Sequence, residues 1–94
     1  MMAVSSLTLS DNHIWSLAED NDRNLWIGTA RGLNKLDLKT NRIKPFVDER
    51  YGAFAKSEVR CLTVDSRNRL WIGTTKGLYL YVPAMDVFQR IDLN

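Results

Sequence analysis

"LWIGT", Leu25 to Thr29, returns unchanged as Leu70 to Thr74, 45 residues further along a chain of 94. Sliding the sequence against itself by that interval, without a gap, sets Asp20 on Asp65, Trp26 on Trp71, Gly28 on Gly73, Gly32 on Gly77 and Leu33 on Leu78. Nine of the seventeen positions from Leu17 to Leu33 are identical to those from Leu62 to Leu78, whereas Asn34 to Phe46 matches Tyr79 to Ile91 only in apolar character. One tight signature at a period of this size marks stacked supersecondary units.

Each unit divides into short β-rich runs separated by turn residues. "HIWSLAE" (His13 to Glu19) and "EVRCLTV" (Glu58 to Val64) have strand length and composition. The polar turns "DNDRN" (Asp20 to Asn24) and "DSRNR" (Asp65 to Arg69) favour hairpins into the LWIGT strands. Four-residue links follow, in which Gly32 and Gly77 permit positive φ, and then "GLNKLD" and "GLYLYV". Polar links lead on to Ile43–Val47 and to Val87–Asp92. No segment sustains helical apolar spacing. The reading is all-β: a β-propeller segment over residues 1–94, with two four-stranded antiparallel blades at about 13–48 and 58–93.

"EDNDRNLWIGTARGLNKLD" (Glu19 to Asp37) closely resembles the two-component regulator propeller repeat, and its counterpart extends the likeness over nearly the whole chain. The resemblance implies the sensor region of a bacterial hybrid two-component sensor kinase, an extracytoplasmic location, and an oligosaccharide or other polar ligand. The family usually has Gly two residues before the Leu-Trp pair, where this chain has Arg23 and Asn68. Asn68 adopts a left-handed conformation cheaply and Arg23 does not, so the first hairpin is expected to use a different turn.

Bulk composition excludes more than it assigns. Thirteen Lys and Arg against eleven Asp and Glu leave +2, without basic or acidic runs, so nucleic acid is not an expected partner. The single Cys61 makes no internal disulfide and lacks metal-site spacing. Neither a signal peptide nor an apolar span of ~20 residues is present, so membrane contact is not expected and a cytoplasmic location stays open. "DNDRN" has the opening spacing of a calcium loop, but the next position is Leu25 instead of Gly and the twelfth is Arg31 instead of Glu. It reads as a hairpin turn. His13 has no catalytic partner type repeated beside it, and Cys61 aligns with Ser16 inside a strand as a small buried filler. No enzyme activity, metal or cofactor is expected.

Trp26 and Trp71 read as equivalent buried residues packing between blades, in preference to a sugar platform, with the LWIGT glycine admitting close backbone approach and the threonine serving strand propensity. The ligand face is expected where outer-to-inner connections and second-to-third-strand links open together. That face would carry His13, Trp15, Arg31, Arg60 and Lys76, with Tyr51 from the connection Asp48 to Ser57. The candidate ligand-binding residues are Trp15, Arg31, Tyr51, Arg60 and Lys76.

Two blades do not close a ring. Either further blades of a longer array complete it, or identical chains do so as a trimer or tetramer through heterologous contacts. In the second case the first unit would present Leu17, Leu25, Ile27 and Leu33, the second Leu62, Leu70, Ile72 and Leu78, with Ala3 to Leu9 pairing along an edge. A self-assembling lectin-like or scaffold module without a signalling role is the alternative function.

Overall fold

The computed structural model describes residues 13–46 and 57–92. Every regular element among them is a strand: β1 (Ile14–Glu19), β2 (Asn24–Thr29), β3 (Gly32–Asp37), β4 (Arg42–Phe46), β5 (Val59–Val64), β6 (Leu70–Thr74), β7 (Gly77–Val82) and β8 (Val87–Ile91). They form two antiparallel meanders, β1-β2-β3-β4 and β5-β6-β7-β8. This is the expected parse, shifted at some ends by one residue. Pro45, which has no N–H to give a ladder, sits on the edge strand β4.

The registers repeat as faithfully as the letters. Trp26 lies opposite Ala18 and Lys35, and Trp71 opposite Thr63 and Leu80. Because side chains alternate across a sheet, Ser16, Ala18, Trp26, Gly28, Leu33 and Phe46 share one face of the first sheet. That face packs on Val59, Leu62, Leu70, Ile72, Tyr79 and Tyr81 of the second, forming the main core. Trp26 stands at its centre, 5.2 Å from the Tyr81 ring and 5.7 Å from Phe46, within the range favourable for tilted aromatic pairs. A Cβ on Gly28 would meet Ser16 Oγ and would lie 2.7 Å from both Val59 Cγ1 and Val59 O, so the glycine is needed for the close approach of β5.

Four expectations are corrected by this stacking. Trp26 is 1% exposed, but Trp71 is only half-buried, because among the described residues no third sheet covers its face. Cys61, expected as a small buried filler, pairs with Gly73 on that same face and is exposed for the same reason. Leu33 lies on the face opposite Leu17, Leu25 and Ile27, since it pairs with Gly28. Leu62, Leu70 and Ile72 are consumed by the contact within the chain, leaving Leu78 with Trp71 on the outer face of the second sheet. On the outer face of the first sheet Ile27, Leu36 and Ile43 are buried and pack with Leu25 and Leu38, while Ile14 and Leu17 on β1 are exposed. The edge pairing expected of Ala3 to Leu9 lies outside the described residues.

Candidate functional site

In each sheet the first hairpin is organised by one aspartate. Asp20 Oδ1 accepts from the backbone N–H of Asp22 (2.8 Å) and Asn24 (3.0 Å), while Oδ2 accepts from Asn24 Nδ2 (3.1 Å) and the Trp26 indole (2.9 Å). Asp65 repeats this with Arg67 N, Arg69 N, Arg69 Nε and Trp71 Nε1, at 2.8–2.9 Å. Desolvation acts to raise the Asp20 carboxyl, but the hydrogen bonds from Trp26, Asn24 and Asp22 outweigh it and hold the group below its usual 3.8. At Asp65 desolvation is likewise outweighed, by the donors of Arg69, Trp71 and Arg67, and the carboxyl falls well below the carboxylate range. This carboxylate is therefore the bracket that fixes the tryptophan and shapes the turn.

Arg23 and Asn68 occupy the same left-handed conformation, with φ of 66° and 61°. The expected different turn in the first hairpin does not occur. Arg23 is held there because its carbonyl accepts Leu38 N–H at 2.9 Å and the Asp20 bracket closes the turn around it. Asn68 also joins the sheets: its Oδ1 accepts from Asn21 N (2.7 Å) and its Nδ2 donates to Asp22 Oδ2 (2.9 Å).

At the other end of the blades, the LWIGT threonines have a role that strand propensity does not describe. Thr29 Oγ1 donates to Gly32 O (3.0 Å) and accepts from Arg31 N (3.1 Å); Thr74 does the same with Gly77 O (2.8 Å) and Lys76 N (3.0 Å). The hydroxyl clamps a tight link in which Gly32 and Gly77 have φ of 111° and 128°. Arg31 and Lys76 thereby project from matched links. Beside them, Ala30 N donates to His13 O (3.0 Å) and Thr75 N to Glu58 O (3.2 Å), which ties each link to the start of an inner strand.

The register breaks at the same place in both inner strands. Ile14 faces Thr29 and Ser16 faces Gly28, leaving Trp15 as the extra residue of a bulge; Val59 faces Thr74 and Cys61 faces Gly73, leaving Arg60. Bulges re-aim a side chain out of the ladder's alternation. Here they bring the two together: the Arg60 guanidinium carbon lies 4.8 Å from the Trp15 ring centroid, a cation–π distance. Arg60 also pairs with Glu58, Nε and Nη2 each 2.8 Å from Oε1. Trp15 is 48% exposed, and Arg60 is open to solvent as well.

Of the five candidate residues, Trp15 and Arg60 are thus in contact, Arg31 and Lys76 stand at the same end of the blades, and Tyr51 lies outside the described residues. Glu58 was missed; its signal was alignment with His13 and i, i+2 spacing from Arg60 on one strand. A hollow of ≈ 320 Å³ lies instead at the opposite end, between Asp22, Arg67, Asn68, Arg69, Val82, Pro83 and Ala84. Asp22 is already bonded to Asn68 and Arg69 to Asp65, so it reads as the seam between the blades, and the exposed Trp15–Arg60 pair is the better ligand candidate. Among the described residues, no group of three or more His, Cys, Asp or Glu is placed to hold a metal ion.

Comparison with solved structures gives the same architecture. The chain aligns with a crystal structure of the extracellular domain of a B. thetaiotaomicron protein described as a hybrid two component system, BT4673, at 25% identity and a TM-score of 0.76, covering 89% of this chain and 11% of that one. A second structure of the BT4673 domain, there described as a one component system, matches with the same values. The extracellular domain of BT3049 from the same organism, also described as a hybrid two component system, matches at 25% identity and a TM-score of 0.72, covering 90% of this chain and 12% of that one. The chain therefore spans about an eighth or less of the length of these structures. No curated protein matches it. The family model for the two component regulator propeller matches residues 8–31 and 53–76, one match on each copy of the signature and together just over half of the chain. With both blades formed and both signatures matched, this chain belongs to the two-component regulator propeller family.

Proposed function

We propose that the chain is a non-catalytic, ligand-sensing stretch of an extracytoplasmic propeller in a bacterial two-component signalling protein, and that it takes a saccharide at the end of the blades carrying Trp15 and Arg60. The observation that supports this most is the bulge pair: equivalent positions of adjacent inner strands deliver an exposed indole and a guanidinium to each other, with a carboxylate 2.8 Å behind. An indole offers an apolar face to a sugar ring, while Arg60, Arg31 and Lys76 offer donors to hydroxyl or carboxylate oxygens. The structural relatives are extracellular domains, which agrees with this location.

Calorimetric titration with neutral and uronic-acid oligosaccharides tests the reading. Binding to the wild-type chain is expected to weaken at least tenfold in Trp15→Ala and Arg60→Ala, with β-sheet circular dichroism retained. Silence across the panel, or affinity unchanged from wild type in both variants, would overturn it.

A further inference from the structure

The two sheets repeat their turns but not the bond between those turns. In the first sheet the Leu38 N–H donates to the Arg23 carbonyl at 2.9 Å, and β2 pairs with β3 as far as Asn24 and Asp37. One repeat later the donor's place is taken by Pro83, which has no N–H, and β6 pairs with β7 only as far as Leu70 and Tyr81. The acceptor is unchanged: Asn68 holds φ of 61° against 66° at Arg23, inside the same aspartate bracket. The two turns of the second sheet therefore stand apart, and the space between them, bounded also by Asp22 of the first sheet, is the hollow of ≈ 320 Å³. That is the small end of the roughly 300–1,000 Å³ of ligand sites.

The bonds already made across this seam leave several groups to spare. The Asn68 carbonyl lacks the donor that its counterpart has. Asp22 gives Oδ2 to the Asn68 Nδ2 latch, which leaves Oδ1. Arg69 gives Nε to Asp65, which leaves its terminal nitrogens. Arg67 gives Asp65 its backbone N–H, and its exposed guanidinium is bonded by no described residue. Val82, Pro83 and Ala84 add a short apolar wall, so acceptors, cations and apolar surface line one small space.

We propose that this hollow binds a small zwitterion, an α-amino acid with an apolar side chain. Its ammonium donates to the Asn68 carbonyl and Asp22 Oδ1, its carboxylate accepts from the Arg67 guanidinium, and its side chain lies on Val82 and Pro83. The ammonium thus fills the place that the Leu38 N–H fills in the first sheet. It carries three donors and can serve both acceptors, whereas a sugar hydroxyl carries one. Hydrogen bonds at both ends are charge-assisted, the stronger kind. A bare anion would answer Arg67 but set a second negative charge beside Asp22, and a bare cation would answer Asp22 but face Arg67 and Arg69. The hollow lies at the opposite end of the blades from Trp15 and Arg60, so this site is independent of the saccharide reading.

Amide-resolved NMR titration of the full chain tests it, with L-valine as the probe. N-acetyl-L-valine, which lacks the ammonium, and L-valinamide, which lacks the carboxylate, are the controls. L-valine is expected to move the Asn68, Arg69 and Ala84 signals saturably and to leave Trp15 in place, while each control binds roughly tenfold or more weakly. Arg67→Ala removes an exposed side chain and is expected to weaken L-valine by a similar factor. Pro83→Leu restores the donor of the first sheet. It is expected to abolish binding while the amide introduced there becomes protected from hydrogen exchange, which shows the turns joined and the sheet folded. The proposal is overturned if L-valine does not bind, if either control or inorganic phosphate binds as tightly as L-valine, or if either variant binds L-valine as wild type does.

Discussion

Arg23 holds a backbone conformation that costs an L-residue roughly 1–2 kcal/mol and that asparagine tolerates more readily. Its side chain is exposed, and its backbone contact is the carbonyl that accepts Leu38 N–H. Arg23→Asn is therefore expected to stabilise the chain by about 0.5–1 kcal/mol, read as a higher urea midpoint at unchanged slope. Asn68→Ala should do the opposite, losing about 1–3 kcal/mol, because the left-handed residue and both halves of the inter-sheet latch go together. A matched pair of glycines separates packing from letters. Gly28→Ala forces a methyl against Val59 backbone and is expected to cost about 1–3 kcal/mol or more; Gly73→Ala meets only the Cys61 side chain and should cost much less. Equal melting shifts for the two alanines would show that the sheet contact is not where the structure places it.

The hairpin is the element in which charge and packing meet. Asp20 and Asp65 each bind a tryptophan six residues on, and in both the folded carboxyl lies below its ordinary value of 3.8. A depressed folded value means stability that is complete above the ordinary value and lost as pH falls below it. Denaturation midpoints are accordingly expected to hold steady down to about pH 4.5 and to decline below 3.8, and less steeply in Asp20→Asn, which begins less stable. The opposite limit belongs to the β7–β8 hairpin. Burial first, and then the Asp86 carboxylate 2.7 Å from its hydroxyl, push the Tyr81 phenol above its usual 10.0, so its contribution is complete below pH 10 and lost above. The strands themselves were legible because apolar alternation and turn residues repeat at one interval. The Asp–Trp bracket was also written there, as two aspartates at identical spacing before two tryptophans, yet an acidic turn reads first as a turn. The bulges were not legible: Trp15 and Arg60 share no residue type, and a break in register is a property of two strands together.

For the whole molecule, identical letters do not imply identical environments. Trp26 and Trp71 hold equivalent register positions in their own sheets, each bound by the aspartate six residues back, but differ in what stacks above them, and no local pattern records that. Trp26→Ala is expected to cost about 3–5 kcal/mol and Trp71→Ala distinctly less in the isolated chain, as chemical denaturation would measure. The two values should converge once the Trp71 face is covered. The candidate site was legible in its end of the blades, through the position of the links, and not in its central contact. That contact has a consequence for how such proteins diversify. A bulged residue makes no pairing demand on its neighbours, so the ladder is indifferent to what stands there, and this chain already holds tryptophan in one copy and arginine in the other. The position held by Trp15 and Arg60 is thus a free slot beside a fixed scaffold. Lineages can rewrite the side chains shown at this end one blade at a time, without renegotiating the fold that presents them.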